Sequence, residues 1–248
     1  MSNKIGPLAA ALVITFGITL TGLEAQTIVT VDETNANWGF LDETSPGPGT
    51  VTSDFVLGPA TPPRGSGSAH LALGAMTDGV IIATQNHVGT RLADITTLTY
   101  QSYQNISPQA ISLQFNIDYD DADSTTSWQG RLVFEPLNSG TVLTDTWQSW
   151  DAMSGSWWSS GTPIVGDTPA ASTCTQGSPC PWATLLTTYP NIAIHGLPLG
   201  LVFFKAGSGW PAGFDGNVDD FHIQTAAFNT VYDFETTVPV ELQSFSID

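Results

Sequence analysis

A chain of 248 residues with 23 carboxylates against 5 lysines and arginines, formal net charge −18, repels polyphosphate, so nucleic acid and anionic lipid are excluded as partners on charge alone. Hydrophobic residues make up 41% of the sequence, enough for a sizeable core, while 24 glycines and 16 prolines cut it into short segments.

Residues 1–25 read as a signal peptide. Met1 to Lys4 form a short, weakly basic lead, residues 5–21 are mostly apolar, and Leu23-Glu24-Ala25 before Gln26 approximates a small-residue cleavage site. Gly6, Pro7, Gly17 and Gly22 interrupt the apolar run, which is short for a membrane span. Cleavage, secretion and no stable membrane span afterwards are therefore expected. With Lys4 removed, the fixed cations are Arg64, Arg91, Arg131 and Lys205.

From residue 26 onward the recurring signal is alternation of apolar and polar residues, broken every ten or so positions by Gly, Pro, Asn and Asp clusters. It predicts strands at 27–31, 69–73, 80–84, 98–103, 111–119, 128–134, 199–204, 218–223 and 228–234. The clearest is 111–119, where Ile111, Leu113, Phe115, Ile117 and Tyr119 share one face and Ser112, Gln114, Asn116 and Asp118 the other. Segments 45–49, 58–67 and 161–181 are too rich in Gly, Pro, Ser and Thr for core elements. One short helix is expected at 181–188, with Pro181 suited to its first position. Many short strands and almost no helix give an all-β class: a two-sheet antiparallel, jelly-roll-like sandwich over 26–235. Residues 236–248, set off by a Thr/Pro break, are a tail or an edge strand.

Four of the eight tryptophans fall in residues 147–158: Trp147, Trp150, Trp157 and Trp158. Indole faces stack on flat ligands such as sugar rings, whereas a buried indole supplies apolar area and needs a partner for its N–H. On a strand the adjacent Trp157 and Trp158 face opposite ways, so at least one is expected outside the main core. Cys174 and Cys180, the two cysteines of an exported chain, are expected to form a small disulfide loop.

Acidic residues offer two cation sites to weigh. The run Asp118-Tyr119-Asp120-Asp121-Ala122-Asp123 lacks the turn glycine and distal glutamate of a calcium loop and reads as a solvated hairpin tip, with Arg131 expected to pair with Asp118 or Asp120. In residues 218–223, alternation puts Asp219 on the side of Phe221 and Ile223, and a buried carboxylate is costly unless paired or metal-bound. With cations scarce, a structural calcium or a cradle of backbone amides is expected at Asp219, the alternative being a partly wet strand end. A calcium there would order the glycine-rich loop 207–214 and bring Trp210 beside it; the alternative is that Trp210 folds back over the sheet as a hydrophobic lid on Phe203, Phe204 and Phe214.

Catalytic motifs are absent. His70, His87, His195 and His222 are isolated, and neither a Gly-x-Ser-x-Gly elbow nor a phosphate-cradling glycine loop occurs. Glu33, Glu43, Glu135 and Glu235 could supply a carboxyl pair for glycoside hydrolysis, but sequence does not pair them.

Residues 58–68, 86–96, 132–136, the tryptophan stretch and 210–219 together resemble an uncharacterised group of secreted bacterial β-sandwich proteins, a likeness that carries over no activity. Residues 214–223 look like the closing strand of jelly-roll carbohydrate-binding modules, in which an Asp before an apolar strand binds a structural calcium; the resemblance implies that role for Asp219. The sequence thus reads as a secreted, bacterial-type, non-catalytic module binding polysaccharide or cell-surface glycan, with Trp147, Trp150, Trp157, Trp158 and Trp210 as stacking candidates. A polysaccharide hydrolase with paired Asp/Glu, or an extracellular structural subunit, are the alternatives.

Overall fold

Alternation becomes two sheets in the computed structural model, which describes residues 24–34, 37–123, 126–160 and 174–237. In chain order the strands are β1 (Thr27–Val31), β2 (Trp38–Asp42), β3 (Val51–Leu57), β4 (Gly67–Leu73), β5 (Gly79–Thr84), β6 (Thr97–Gln104), β7 (Ser112–Asp118) and β8 (Arg131–Phe134). They continue with β9 (Gln148–Asp151), β10 (Ser156–Ser160), β11 (Cys180–Pro181), β12 (Ala193–Ile194), β13 (Val202–Gly207), β14 (Asp215–Gln224) and β15 (Asn229–Phe234). Among the described residues a single α-helix, α1 (Trp182–Thr188), follows β11, with Pro181 as its N-cap rather than its first helical residue. Most of the signal-peptide segment, residues 1–23, and the end of the tail, 238–248, lie outside the described residues.

One sheet has seven strands, running β1-β15-β14-β4-β3 with β6 also on β14 and β9 on β6; the other has eight, β11-β10-β8-β7-β13-β5-β2, with β12 on β7. The all-β sandwich expected from sequence is therefore present. Among the described strands, the β1–β15 pair departs from the antiparallel rule, since Thr27–Val31 runs parallel to Thr230–Phe234.

The inner faces meet in one core. Leu71, Leu98, Tyr100, Phe221 and Phe234 from the first sheet pack toward Ile82, Leu113, Phe115, Phe134, Trp157 and Phe204 from the second. Each such side chain, moved from water to interior, contributes about 1.5–3 kcal/mol. Trp38 from β2 joins the two layers, with ring centroids 5.1 Å from Tyr232 and 5.1 Å from Phe234.

Three departures from the sequence reading have physical causes. Strands β2 and β3 border their sheets and bury only Trp38 and Phe55 respectively, so edge positions blur the period-two signal. The strand expected at 199–204 begins instead at Val202, because a turn closed by Gly200 N–H to the Gly196 carbonyl (2.9 Å) occupies the preceding residues. The expected polar face of β7 is not solvated: Ser112, Gln114, Asn116 and Asp118 are all buried.

At Asp219 the period-two argument fails outright. Val218 pairs with Ser102 and Ile223 with Leu98, so five steps on β14 match four on β6, and a β-bulge carries the extra residue. Asp220 takes the strain, with φ +53°. Phe221 and Ile223 thus face the core without Asp219. Along its other edge β14 pairs first with β4 (215–218) and then with β15 (221–224), and Asp219 sits where one partner hands over to the next. Its Oδ1 accepts the Phe234 N–H (3.0 Å) and its Oδ2 the Arg64 N–H (3.1 Å), the amides left over at this gap.

Candidate functional site

Outward-facing residues of β7, β8, β10 and β13 form an open groove of about 690 Å³ on the eight-stranded sheet. Its positions alternate with core residues: Gln114 lies between Leu113 and Phe115, Glu135 follows Phe134, Trp158 follows Trp157, and Lys205 follows Phe204. Ser112 and Gln114 of the buried polar face of β7 are the floor of the groove, while Asn116 and Asp118 are covered by Leu199 and Gln129.

Its walls come from two loops. The disulfide Cys174–Cys180, Cα atoms 5.1 Å apart, closes the loop that presents Gln176, and β10 fixes that loop through the Trp157–Cys180 pair and a Ser159 N–H to Cys174 carbonyl bond of 2.8 Å. Opposite, Gly207 to Trp210 close the groove, with Trp210 edge-on to Phe214 at 4.8 Å.

The two cations that line the groove, Arg131 and Lys205, converge on Glu43, the residue after β2. Arg131 reaches it with both Nη atoms (3.0 and 2.5 Å) and Lys205 with Nζ (2.7 Å). Between β2 and β8 lie β5, β13 and β7, a separation of roughly 19 Å on a flat sheet. The long side chains of Arg131, Lys205 and Glu43 nevertheless meet. Burial pushes the Glu43 carboxyl up, but Arg131 and Lys205 more than offset this and hold it below the ordinary carboxylate range. The Arg131 guanidinium also lies 4.8 Å over the Phe203 ring.

Across the groove, Glu135 Oε2 accepts Trp158 Nε1–H (3.3 Å) and Asn138 Nδ2–H (3.4 Å). Burial raises its carboxyl above the ordinary value. Trp158 is thereby held by its indole N–H, and its ring remains partly exposed in the groove. Gln114 donates to Ser112 Oγ at 2.8 Å, while Gln109 Oε1 has no hydrogen-bond partner. An aromatic face beside planar amides and carboxylates is suited chemically to a ring that carries hydroxyls: C–H surfaces stack on the indole, and the polar groups take up the O–H groups at the ring edge.

The tryptophan stretch does not form one surface. Trp157 is fully buried, packs on Phe115 and Phe134 and donates to the Ala152 carbonyl at 2.7 Å; it offers no face to a ligand. Trp150 is likewise a core residue, donating to Ser102 Oγ at 2.9 Å. Trp147 lies against Tyr103 on the seven-stranded sheet, with its N–H on the Pro59 carbonyl. Trp158 and Trp210 alone among the five candidates line the groove, and Trp210 is nearly covered.

Arg131 pairs with Glu43 rather than Asp118 or Asp120, since its register partner is Asn116 and its side chain points along the groove. Asp121 is met instead by Arg91 (3.4 Å) and Asp120 by Asn191 (2.9 Å). Asp219 lies on β14 of the other sheet, engaged by Phe234 and Arg64, so it is not beside Trp210. Burial first, then the charge of Asp233, raises its carboxyl to about 7. Among the described residues no three His, Cys, Asp or Glu side chains converge as metal ligands. The histidines serve as structural hydrogen-bonders: His87 meets Tyr232 Oη at 2.9 Å, and burial lowers it to about 4.

Glu43 and Glu135 stood among the carboxyls the sequence offered without pairing them, whereas Arg131, Lys205 and Gln114 were not singled out as site residues. The available signal was the polar face of β7, which a buried sheet position turns into a floor. Gln114 and Arg131 lie on the consecutive strands β7 and β8, but Glu43 and Lys205 come from parts of the chain remote from them.

No protein-family model matches the chain, and no curated protein matches it. Solved structures similar to it include TmCBM61 in complex with β-1,4-galactotriose (7% identity, covering 77% of this chain and 89% of that one, TM-score 0.35). Others are the CBM22-1 xylan-binding domain from Paenibacillus barcinonensis Xyn10C (12%, 77% and 86%, TM-score 0.35) and a family 11 carbohydrate-binding module from Clostridium thermocellum in complex with a β-1,3-1,4-mixed-linked tetrasaccharide (11%, 75% and 89%, TM-score 0.35). These neighbours are carbohydrate-binding modules. The fold described above rests on its own strand pairing.

Proposed function

We propose that the chain is a secreted glycan-binding module whose groove on the eight-stranded sheet takes a polysaccharide. The observation that carries the reading is Trp158, held by Glu135 at its N–H and open at its face beside planar polar side chains. Affinity electrophoresis through gels cast with different polysaccharides tests it. Retardation by at least one polysaccharide is expected, with Trp158→Ala weakening it about tenfold or more, roughly 1.4 kcal/mol. Binding that Trp158→Ala leaves intact removes the groove from the account, and no retardation by any polysaccharide removes the function.

Export is supported by the apolar N-terminal run and by the disulfide. N-terminal sequencing of the protein recovered from culture medium should give Gln26.

A structural calcium at Asp219 is supported by the burial of that carboxylate and by the partnerless Oδ1 of neighbouring Asp233. A chelator should then lower the melting temperature, and an unchanged midpoint leaves the amide cradle as the whole explanation.

Hydrolysis is the second reading, favoured by one feature: Glu135 is pushed up and Glu43 down, the separation of roles an acid and an ionised partner need. Against it, both Glu43 oxygens are occupied by Arg131 and Lys205. Reducing-sugar release that disappears in Glu135→Gln would establish the enzyme.

A further inference from the structure

The groove concentrates charge in an unusual way for so acidic a protein. Of Arg64, Arg91, Arg131 and Lys205, two line this one depression. Left free, a guanidinium fork and an ammonium on the floor of the groove would make a seat for a carboxylate or sulfate. They are not free. Glu43 fills that seat from within the chain, taking both Arg131 Nη atoms and Lys205 Nζ on its two oxygens. Among the described residues lining the groove, the remaining ionisable group is Glu135, which balances the surplus positive charge, so the two cations sum to neutrality with Glu135 and Glu43.

From this arrangement we infer that Glu43 is a specificity-determining residue, an internal counter-ion that makes the groove select uncharged glycans over uronate-bearing or sulfated ones. An incoming carboxylate would have to displace a two-point Arg–Glu pair to reach the cations, and would meet Glu135 on the other side. A neutral sugar needs neither displacement: its hydroxyls bond to groups whose charges stay compensated. Glu43 acts through Arg131 and Lys205 and is remote from Trp158 in the strand order, so it sets charge selectivity rather than the stacking surface.

The inference rests on the glycan reading above, and the experiment separates the two. A panel of neutral polysaccharides, each with its carboxymethyl derivative, is titrated against the full chain and against Glu43→Gln, which keeps the shape and one acceptor oxygen but removes the charge. The wild-type chain should bind at least one neutral member at least tenfold more tightly than its carboxymethyl form, with affinity flat from about 50 to 500 mM salt. In Glu43→Gln that ratio should narrow at least tenfold, and the gained affinity for the carboxymethyl form should fall with salt. The overall charge of −18 disfavours anionic glycans in both proteins, so only a local effect of Glu43 changes the ratio. A wild-type preference for the carboxymethyl form, or the same ratio in both proteins, overturns the inference while leaving glycan binding intact. If circular dichroism shows that Glu43→Gln does not fold, the wild-type salt series decides: affinity that drops steeply with salt overturns it. Failure of the wild-type chain to bind any member removes the glycan reading and this inference with it.

Discussion

Two regions of the molecule take a carboxylate out of water, and they compensate it differently. At the strand handover on the seven-stranded sheet, Asp219 is fully buried and held by the Phe234 and Arg64 backbone amides. At the groove, Glu43 is held by the side chains of Arg131 and Lys205. Amides are fixed by the strands that carry them, so the first arrangement stitches β14, β15 and the loop before β4 together and leaves the carboxyl pushed up to about 7. Side-chain cations supply full charge, so the second holds its carboxyl low and depends on salt and on the partners' freedom to move. Backbone compensation builds the fold here; side-chain compensation tunes a surface.

The comparison breaks first, and by the largest amount, at Asp219. Replacing it with Ala leaves two amides without acceptors at a sheet junction and should cost about 2–4 kcal/mol by denaturant titration; a loss below about 1 kcal/mol would mean that water replaces the carboxylate and that the handover is not stitched. Glu43→Gln keeps some hydrogen bonds but leaves two partly buried cations without a counter-charge, and a smaller loss of about 1–2 kcal/mol is expected. A loss equal to that of Asp219→Ala would erase the distinction between the two regions.

The pH profile sharpens the contrast because the two groups have opposite signs. Asp219 has a folded value near 7 against an unfolded value of about 4, so its contribution is full below pH ~4 and is lost as pH rises toward 7. Glu43 is held below its unfolded value near 4.5, so its contribution is present above that pH and is lost as the solution becomes more acidic. Melting temperature should rise from strongly acid solution to about pH 4–5 and then decline toward pH 7. A profile that climbs steadily to pH 7 in the presence of a chelator contradicts the Asp219 assignment; one that climbs only with calcium present assigns the carboxylate to the ion.

The smallest effect concerns the fold at the groove's edge. Trp158→Ala should change stability by less than about 1 kcal/mol, because its ring is partly exposed and its removal leaves Glu135 with Asn138. Trp157, one residue earlier and fully buried, is the internal control, for which about 3–5 kcal/mol is expected on truncation to Ala.

Fold class was legible because it depends on local pattern: the strand at 27–31 is found as expected, and those expected at 80–84 and 228–234 are found within one residue. The site was legible only in part. Adjacent Trp157 and Trp158 do face opposite ways, as a strand requires, but which one turns inward depends on pairing with β8, and Trp157 opposes Phe134 there. Asp219 escaped the same logic through one bulge residue, which sequence alternation cannot register. Glu43, 88 residues from Arg131 and 162 from Lys205, meets them only because β2, β8 and β13 share one sheet. Nothing local in the sequence encodes that meeting.

The central claim is that Trp158 is the indole that meets the ligand. With the tryptophans 15N-labelled, the eight indole N–H signals can be followed during titration with the best-binding oligosaccharide. The Trp158 signal should shift strongly, Trp210 at the groove end less, and the core residues Trp150 and Trp157 should stay in place. Saturable binding that moves Trp147 on the other sheet and leaves Trp158 unmoved would contradict the account.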